Sequence, residues 1–344
     1  MFEIETQPVV IGDEQAVDAL EPAQADNASD VLIVINRRTL NYLIIALVLL
    51  SVAAVAGMVI AARQNDDKLA EMNAPKKLAI VPGTEAELFD QVRAQVLPEE
   101  GITLPIRWGS WLPRLVEEGV IDMEKFETSF ASRGGLTEEQ TSLLTRGSND
   151  FITINNENSW FLVTVLWPLG LSNQMDINEA SPINGERLFN FASTGGWSLG
   201  REENGEAYFN KYDLIPLTAE QEALVKELAE NSYRPCCNNS TFFQDCNHGS
   251  GLLGLLELGA YQGLTRNEIA RAALAANSFW FPQNYVTTAM YLKAVRELDW
   301  KDVNPEEILG FEYSSATGAN AISQEAARLN LLPENAAGAQ CGVR

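Results

Sequence analysis

Residues 234–263 read RPCCNNSTFFQDCNHGSGLLGLLELGAYQG, and the fold is read outward from this stretch. Three of the four cysteines, Cys236, Cys237 and Cys246, and the only histidine, His248, fall within thirteen residues of it. They run straight into a nearly apolar segment, Gly249 to Gly263, that carries Leu252, Leu253, Leu255, Leu256 and Leu258 and is broken by Glu257. The segment is too short and too glycine-rich to cross a bilayer, so it reads as a buried helix. Asp245 or Asn247 is expected to cap it, placing Cys246 and His248 at the positive end of the helix dipole, where a thiolate is stabilised. Gly249-Ser-Gly251-Leu-Leu-Gly254 fits a dinucleotide-binding pattern, but no strand leads into it and no βαβ unit surrounds it. These glycines are expected to let helices approach closely, and no nucleotide is expected.

The sequence leaves three outcomes open for the cysteine loop. Three thiolates and one imidazole, Cys236, Cys237, Cys246 and His248, make a donor set suited to zinc or copper(I), with Asp245 as a supporting partner. Alternatively, Cys236 or Cys237 pairs with Cys246 in thiol–disulfide exchange, the remaining thiol attacking or resolving. In the third outcome the four cysteines, Cys341 included, form structural disulfides of a binding module. Non-catalytic metal binding is the leading expectation.

Outside this loop the chain reads as mostly α. Thr84-x-x-Glu87, Thr137-x-x-Gln140, Thr218-x-x-Gln221 and Thr265-x-x-Glu268 are capping boxes, and Asn304-Pro305-Glu306-Glu307 adds a cap with proline at the first helical position. Apolar residues behind these caps recur at spacings of three and four. Phe151 to Ile154 is the best strand candidate. Between 176 and 216 glycine, asparagine and proline interrupt any period, and aromatic residues such as Trp197 and Tyr208 are expected to pin this long loop down. Phe279, Trp280, Phe281, Tyr285 and Tyr291 read as core rather than as a haem or quinone pocket. Arg107, Trp108 and Trp111 are expected on an amphipathic helix ahead of Glu117. The spacing predicts a helical subdomain over 84–215 and a second, carrying loop 234–249, over 216–344.

Residues 1–36 hold eight acids and no Lys or Arg, the profile of a solvated tail, assigned here to 1–38. Leu43 to Ala62 is a run of 20 residues without a charge, so 39–62 is expected to span the membrane as a signal anchor, with a linker over 63–83. Arg37 and Arg38 precede the span while Arg63, Lys68, Lys76 and Lys77 follow it, a balance that favours the opposite orientation. A large cysteine-containing domain after one N-proximal span nevertheless suits a cytoplasmic tail and an extracytoplasmic domain at the cell membrane.

Composition removes several functions. With 24 basic and 47 acidic side chains the net charge is −23, which speaks against nucleic acid as partner. One histidine excludes facial triads and paired Glu-x-x-His di-iron sites. A Ser–His–Asp mechanism would have to run through the single histidine, His248, and hydrolase chemistry is not expected. The order of cysteine-rich loop, apolar helix, Gly263, Leu264-Thr-x-x-Glu-Ile269, second helix and Phe281-Pro282 resembles the membrane-anchored thiol oxidoreductases of cytochrome c maturation, over residues 233–285. The resemblance implies a redox dithiol ahead of a small helical bundle. Here Cys236-Cys237 and a later Cys246 stand where that family has Cys-x-x-Cys. Beyond the membrane, a protein at the cell surface is the remaining partner expected.

Overall fold

The computed structural model describes residues 85–333. The tail 1–38, the span 39–62, the linker 63–83, the Thr84 cap and Cys341 lie outside the described residues. Among the described residues no helix is long and apolar enough to cross a membrane.

Along the chain, α1 (Glu85–Val96) leads to β1 (Ile102–Gly109), then α2 (Trp111–Glu117), α3 (Met123–Ala131), α4 (Glu138–Arg146) and β2 (Ser148–Ile154). Next come α5 (Ser159–Ser172), a long connection, α6 (Ala219–Asn231), α7 (Asn247–Tyr261), α8 (Arg266–Trp280) and α9 (Pro282–Arg296). Two short helices, α10 (Pro305–Leu309) and α11 (Phe311–Ser314), and the longer α12 (Ala316–Arg328) close the order. The fold is mostly α. The capping boxes at Thr137, Thr218 and Thr265 form with both reciprocal hydrogen bonds and start α4, α6 and α8. Asn304 caps α10 with Pro305 as its first residue.

β2 contains the expected Phe151–Ile154 and pairs antiparallel with β1, Ile102 opposite Ile154 and Arg107 opposite Phe151. Along β1, Leu104, Ile106 and Trp108 are buried while Thr103, Pro105 and Arg107 are exposed, an alternation of period two that is the strand signature. The expectation that Arg107 and Trp108 ride on a helix is therefore corrected: only Trp111 does, and Arg107 instead stacks its guanidinium 3.9 Å above the Phe151 ring.

The centre is the crossing of α5 and α7. Both are apolar all round, buried from Phe161 to Ser172 and from His248 to Ala260, as a helix enclosed on every side must be. Their backbones nearly touch. A Cβ at Gly254 would lie 2.7 Å from the Leu166 carbonyl oxygen and 2.9 Å from the Gly170 nitrogen, and one at Gly170 would collide with the Ser250 carbonyl. Close helix contact is thus the work of these glycines. Because α5 and α7 belong to the stretches before and after residue 216, the two expected subdomains share one hydrophobic core.

The long connection after α5 is held by three 3₁₀ turns and aromatic packing. Trp197 meets Trp167 of α5 edge to face at 4.9 Å and Tyr208 at 5.5 Å, while Phe189 faces solvent. Its Phe191 packs against Phe243 at 5.3 Å, so this connection also braces the cysteine loop.

Two consequences concern α7. Gly254→Ala gains about 1 kcal/mol of helix propensity but drives a methyl into backbone. We expect a net loss of about 1 to 3 kcal/mol in reversible urea unfolding; unchanged stability refutes the close crossing. Glu257, fully buried on the same helix, has no hydrogen-bond partner for either carboxyl oxygen. Burial pushes its carboxyl well above the ordinary range, Asn173 opposing weakly and Glu222 adding. A carboxyl raised in the folded state makes unfolding easier as pH rises above the unfolded value near 4.5, because only the unfolded chain then releases the proton. The stability advantage of Glu257→Gln over the natural chain should therefore widen above that pH by up to about 1.4 kcal/mol per unit, whereas a gap independent of pH contradicts a protonated Glu257.

Candidate metal centre

The cysteine loop joins α6 to α7 and is wound around one buried side chain, Arg234. With no exposure to solvent, its guanidinium spends all five N–H groups inside the loop. Nη1 donates to the carbonyls of Asn239 (2.9 Å) and Ser240 (2.7 Å), Nη2 to the Phe243 carbonyl (3.1 Å) and to the Asp245 carboxylate, and Nε to the Cys246 sulfur (3.4 Å). Asp245 is fixed in turn by Asn239 Nδ2 at 2.8 Å. Gly249 lies against this group, where a Cβ would sit 2.5 Å from Nη2, so no larger residue fits without displacing the arginine.

Neighbouring elements hold the loop from outside. Phe242 N donates to the Ala229 carbonyl and Thr241 N to the Ser232 carbonyl, closing the loop on the end of α6. Ser193 of the long connection donates through its hydroxyl to the Gln244 carbonyl (2.7 Å) and through its N–H to the Asp245 carbonyl (3.1 Å). At the first residues of α12, Ala316 N donates to the Cys237 carbonyl (2.9 Å) and Thr317 N to Asn238 Oδ1 (2.9 Å).

Within this frame the sulfur atoms of Cys236, Cys237 and Cys246 lie within 4.8 Å of one another, Cys236 and Cys246 at 3.8 Å. Cys236 is exposed; the other two are half-buried, and all three are free thiols. The expected cap of α7 is corrected: neither Asp245 nor Asn247 but Cys246 occupies that position, its sulfur accepting from Gly249 N at 3.4 Å. Asp245 turns away because the Arg234 guanidinium offers a stronger, charged partner.

The three thiols differ in acidity. Hydrogen bonds from Cys236 and Cys237 pull Cys246 well below the ordinary thiol range against its burial, and His248 and the Arg234 charge add to the effect. The Cys236 and Cys237 thiols are themselves raised by their contact with the Cys246 sulfur and by burial. For Cys237 the Cys236 thiol pulls the other way, but the Cys246 sulfur and burial outweigh it. Burial opposes the charge of Arg234, yet the surrounding sulfurs, Cys246 foremost, hold it protonated. Burial also raises Asp245 against the pull of Arg234.

His248, the fourth expected ligand, is not part of the three-sulfur group. Its imidazole is wedged between Phe281, 4.7 Å between ring centres, and Trp280 at 6.0 Å. It also lines a groove with Trp160 and Trp280. Phe279, Phe281 and Tyr285 are buried core, as their pattern suggested. Arg234 is the functional residue that sequence reasoning quoted without a role. Its signal was an arginine directly ahead of Pro235-Cys236-Cys237, where a basic side chain among thiols has an electrostatic purpose.

No protein-family model, curated protein or solved structure matches the chain.

Replacing Arg234 by methionine strands four oxygen acceptors and the Cys246 sulfur and removes the positive charge beside them. A loss of about 3 to 5 kcal/mol in unfolding free energy is expected, together with a fall in the reactivity of Cys246 toward an alkylating agent near neutral pH. Retention of both would show that the guanidinium does not organise the loop.

Proposed function

We propose that this protein binds a thiophilic metal ion, zinc or copper(I), through Cys236, Cys237 and Cys246, without catalysing a reaction. The observation that carries this reading is the convergence of three sulfur atoms on a loop already braced by Arg234. Zinc–sulfur bonds of about 2.3 Å at tetrahedral angles place sulfurs about 3.8 Å apart, and Cys236 and Cys246 stand at 3.8 Å. Soft thiolates suit zinc and copper(I) alike. A water molecule or the imidazole of His248, which already acts on the Cys246 thiol, is the natural fourth donor.

The same reading keeps the protein on the membrane. The charge-free run 43–62 supports an anchor through 39–62, with residues 1–38 cytoplasmic and the metal-binding body extracytoplasmic, where a protein at the cell surface would be its partner. Labelling of intact cells with an impermeant thiol reagent reports that orientation through the exposed Cys236.

Metal analysis of the reduced full chain, loaded anaerobically with zinc or copper(I) and desalted, is expected to give one equivalent. Cys236→Ser, Cys237→Ser and Cys246→Ser should each weaken binding by about 100-fold or more, and His248→Ala by about tenfold. Less than about a tenth of an equivalent of either ion sinks the proposal.

A further inference from the structure

The three sulfurs are not equivalent in their means of pairing with one another. Cys236 and Cys237 are adjacent, and the Cα atoms of adjacent residues stand about 3.8 Å apart, inside the roughly 4.4 Å that a relaxed disulfide requires. Cys237 is further restrained through its backbone, its N–H donating to the Arg234 carbonyl and its carbonyl accepting from Ala316 N. The Cys236 and Cys246 sulfurs face each other at 3.8 Å, and side-chain rotation of both can bring them to the bonded distance of about 2.05 Å. Cys236 is open to solvent, so a small oxidant can arrive there and its product can leave. At Cys246 the sulfur already accepts two N–H groups, from Arg234 and Gly249, which favour a nucleophilic sulfur over a neutral thiol.

We propose that the metal-free cluster is a peroxide-reactive dithiol in which Cys236 and Cys246 close to a disulfide, and that this closure turns metal binding off. The second half rests on the metal-binding reading above; the first does not. The Cys246 thiolate attacks one oxygen of hydrogen peroxide, the O–O bond breaks, and hydroxide leaves, producing a sulfenic acid at Cys246. The Cys236 sulfur then attacks the Cys246 sulfur, and the departing hydroxyl takes the Cys236 proton as water. Thiolate, thiol and peroxide thus become disulfide, water and hydroxide, the two sulfurs losing the electron pair that the peroxide gains. Two of the three sulfur donors are consumed and Cys237 alone remains, too few for a closed thiophilic site. Bound metal engages the same sulfurs and should protect them.

Arg234 has no N–H left for the peroxide, all five being committed to the loop. The reaction is accordingly that of an activated thiolate, without a dedicated pocket for the leaving oxygen. Cys237 separates the two functions: it is needed for the metal and dispensable for the disulfide.

The test uses the reduced, metal-free full chain treated with stoichiometric hydrogen peroxide, followed by proteolysis without reduction and mass spectrometry. The expected product links Cys236 to Cys246, still forms in Cys237→Ser although more slowly because one donor to the Cys246 sulfur is altered, and is slowed about tenfold or more by prior zinc loading. In Cys236→Ser a 1,3-dione should trap the sulfenic acid on Cys246. Zinc uptake by the oxidised natural chain should fall about 100-fold and return on reduction with a dithiol. Linkage through Cys237, over-oxidation without a disulfide, or undiminished zinc uptake after Cys236–Cys246 closure overturns the proposal. A reduced chain that takes up no metal yet still forms Cys236–Cys246 defeats the metal-binding reading and with it the switch, leaving the dithiol; one that binds metal but does not form it defeats the dithiol and the switch, leaving the metal-binding reading.

Discussion

The candidate site depends on the solvation of one guanidinium by protein. A buried arginine costs several kcal/mol unless every donor finds an acceptor and its charge finds a counter-charge. Arg234 meets both conditions within its own loop, from three carbonyls, one carboxylate and one sulfur. Carbonyl groups of Asn239, Ser240 and Phe243 can converge on one point only if the chain wraps around it. The wrapping brings Cys246, ten residues beyond Cys236, back against it. Convergence of the thiols thus accompanies the satisfaction of a buried cation by its own loop. A metal arriving at such a loop need not supply the ordering free energy that a flexible ligand set demands.

The core extends this constraint to the rest of the molecule. Cys246 caps α7, and α7 is locked to α5 by backbone contact at Gly170 and Gly254. The Cys237 carbonyl is held by the start of α12, and the loop's far edge by Ser193 of the long connection. Cys237 and Cys246 are therefore positioned by different parts of the fold. Burial of Glu257 within α7 imposes an opposing cost, since a carboxyl without hydrogen-bond partners sits in the helix that sets the site.

Features governed by local chemistry were legible in the sequence. Capping boxes at Thr137, Thr218 and Thr265 mark helix starts because their hydrogen bonds close within four residues. The gathering of Cys236, Cys237 and Cys246 was legible from rarity alone. β1 carried a readable alternation in Leu104, Ile106 and Trp108, but nearby Trp111 and Leu112 at the start of α2 obscured its end. What could not be read depends on competition between partners distant in space. Asp245 is an excellent cap by type, yet a charged guanidinium outbids backbone amides and leaves the cap to a sulfur. His248 follows Cys246 by two residues, but a ring that can bury against Phe281 and Trp280 has a strong alternative to joining the thiols.

Charge balance distinguishes the two candidate ions. The proposed metal-bound group would comprise three thiolates, the Arg234 cation and the Asp245 carboxylate. A divalent ion leaves it with one net negative charge, and a monovalent ion with two. Half-burial of Cys237, Cys246 and Asp245 makes each uncompensated charge costly, while the exposed Cys236 gives water access to only one side. A neutral fourth donor adds no charge, which suits either water or an uncharged His248 completing a tetrahedron. If the loop binds a metal as proposed, this charge balance would suit a divalent ion better than a monovalent one. The arginine that shapes the loop would likewise offset part of the negative charge of three thiolates in a chain whose net charge is already −23.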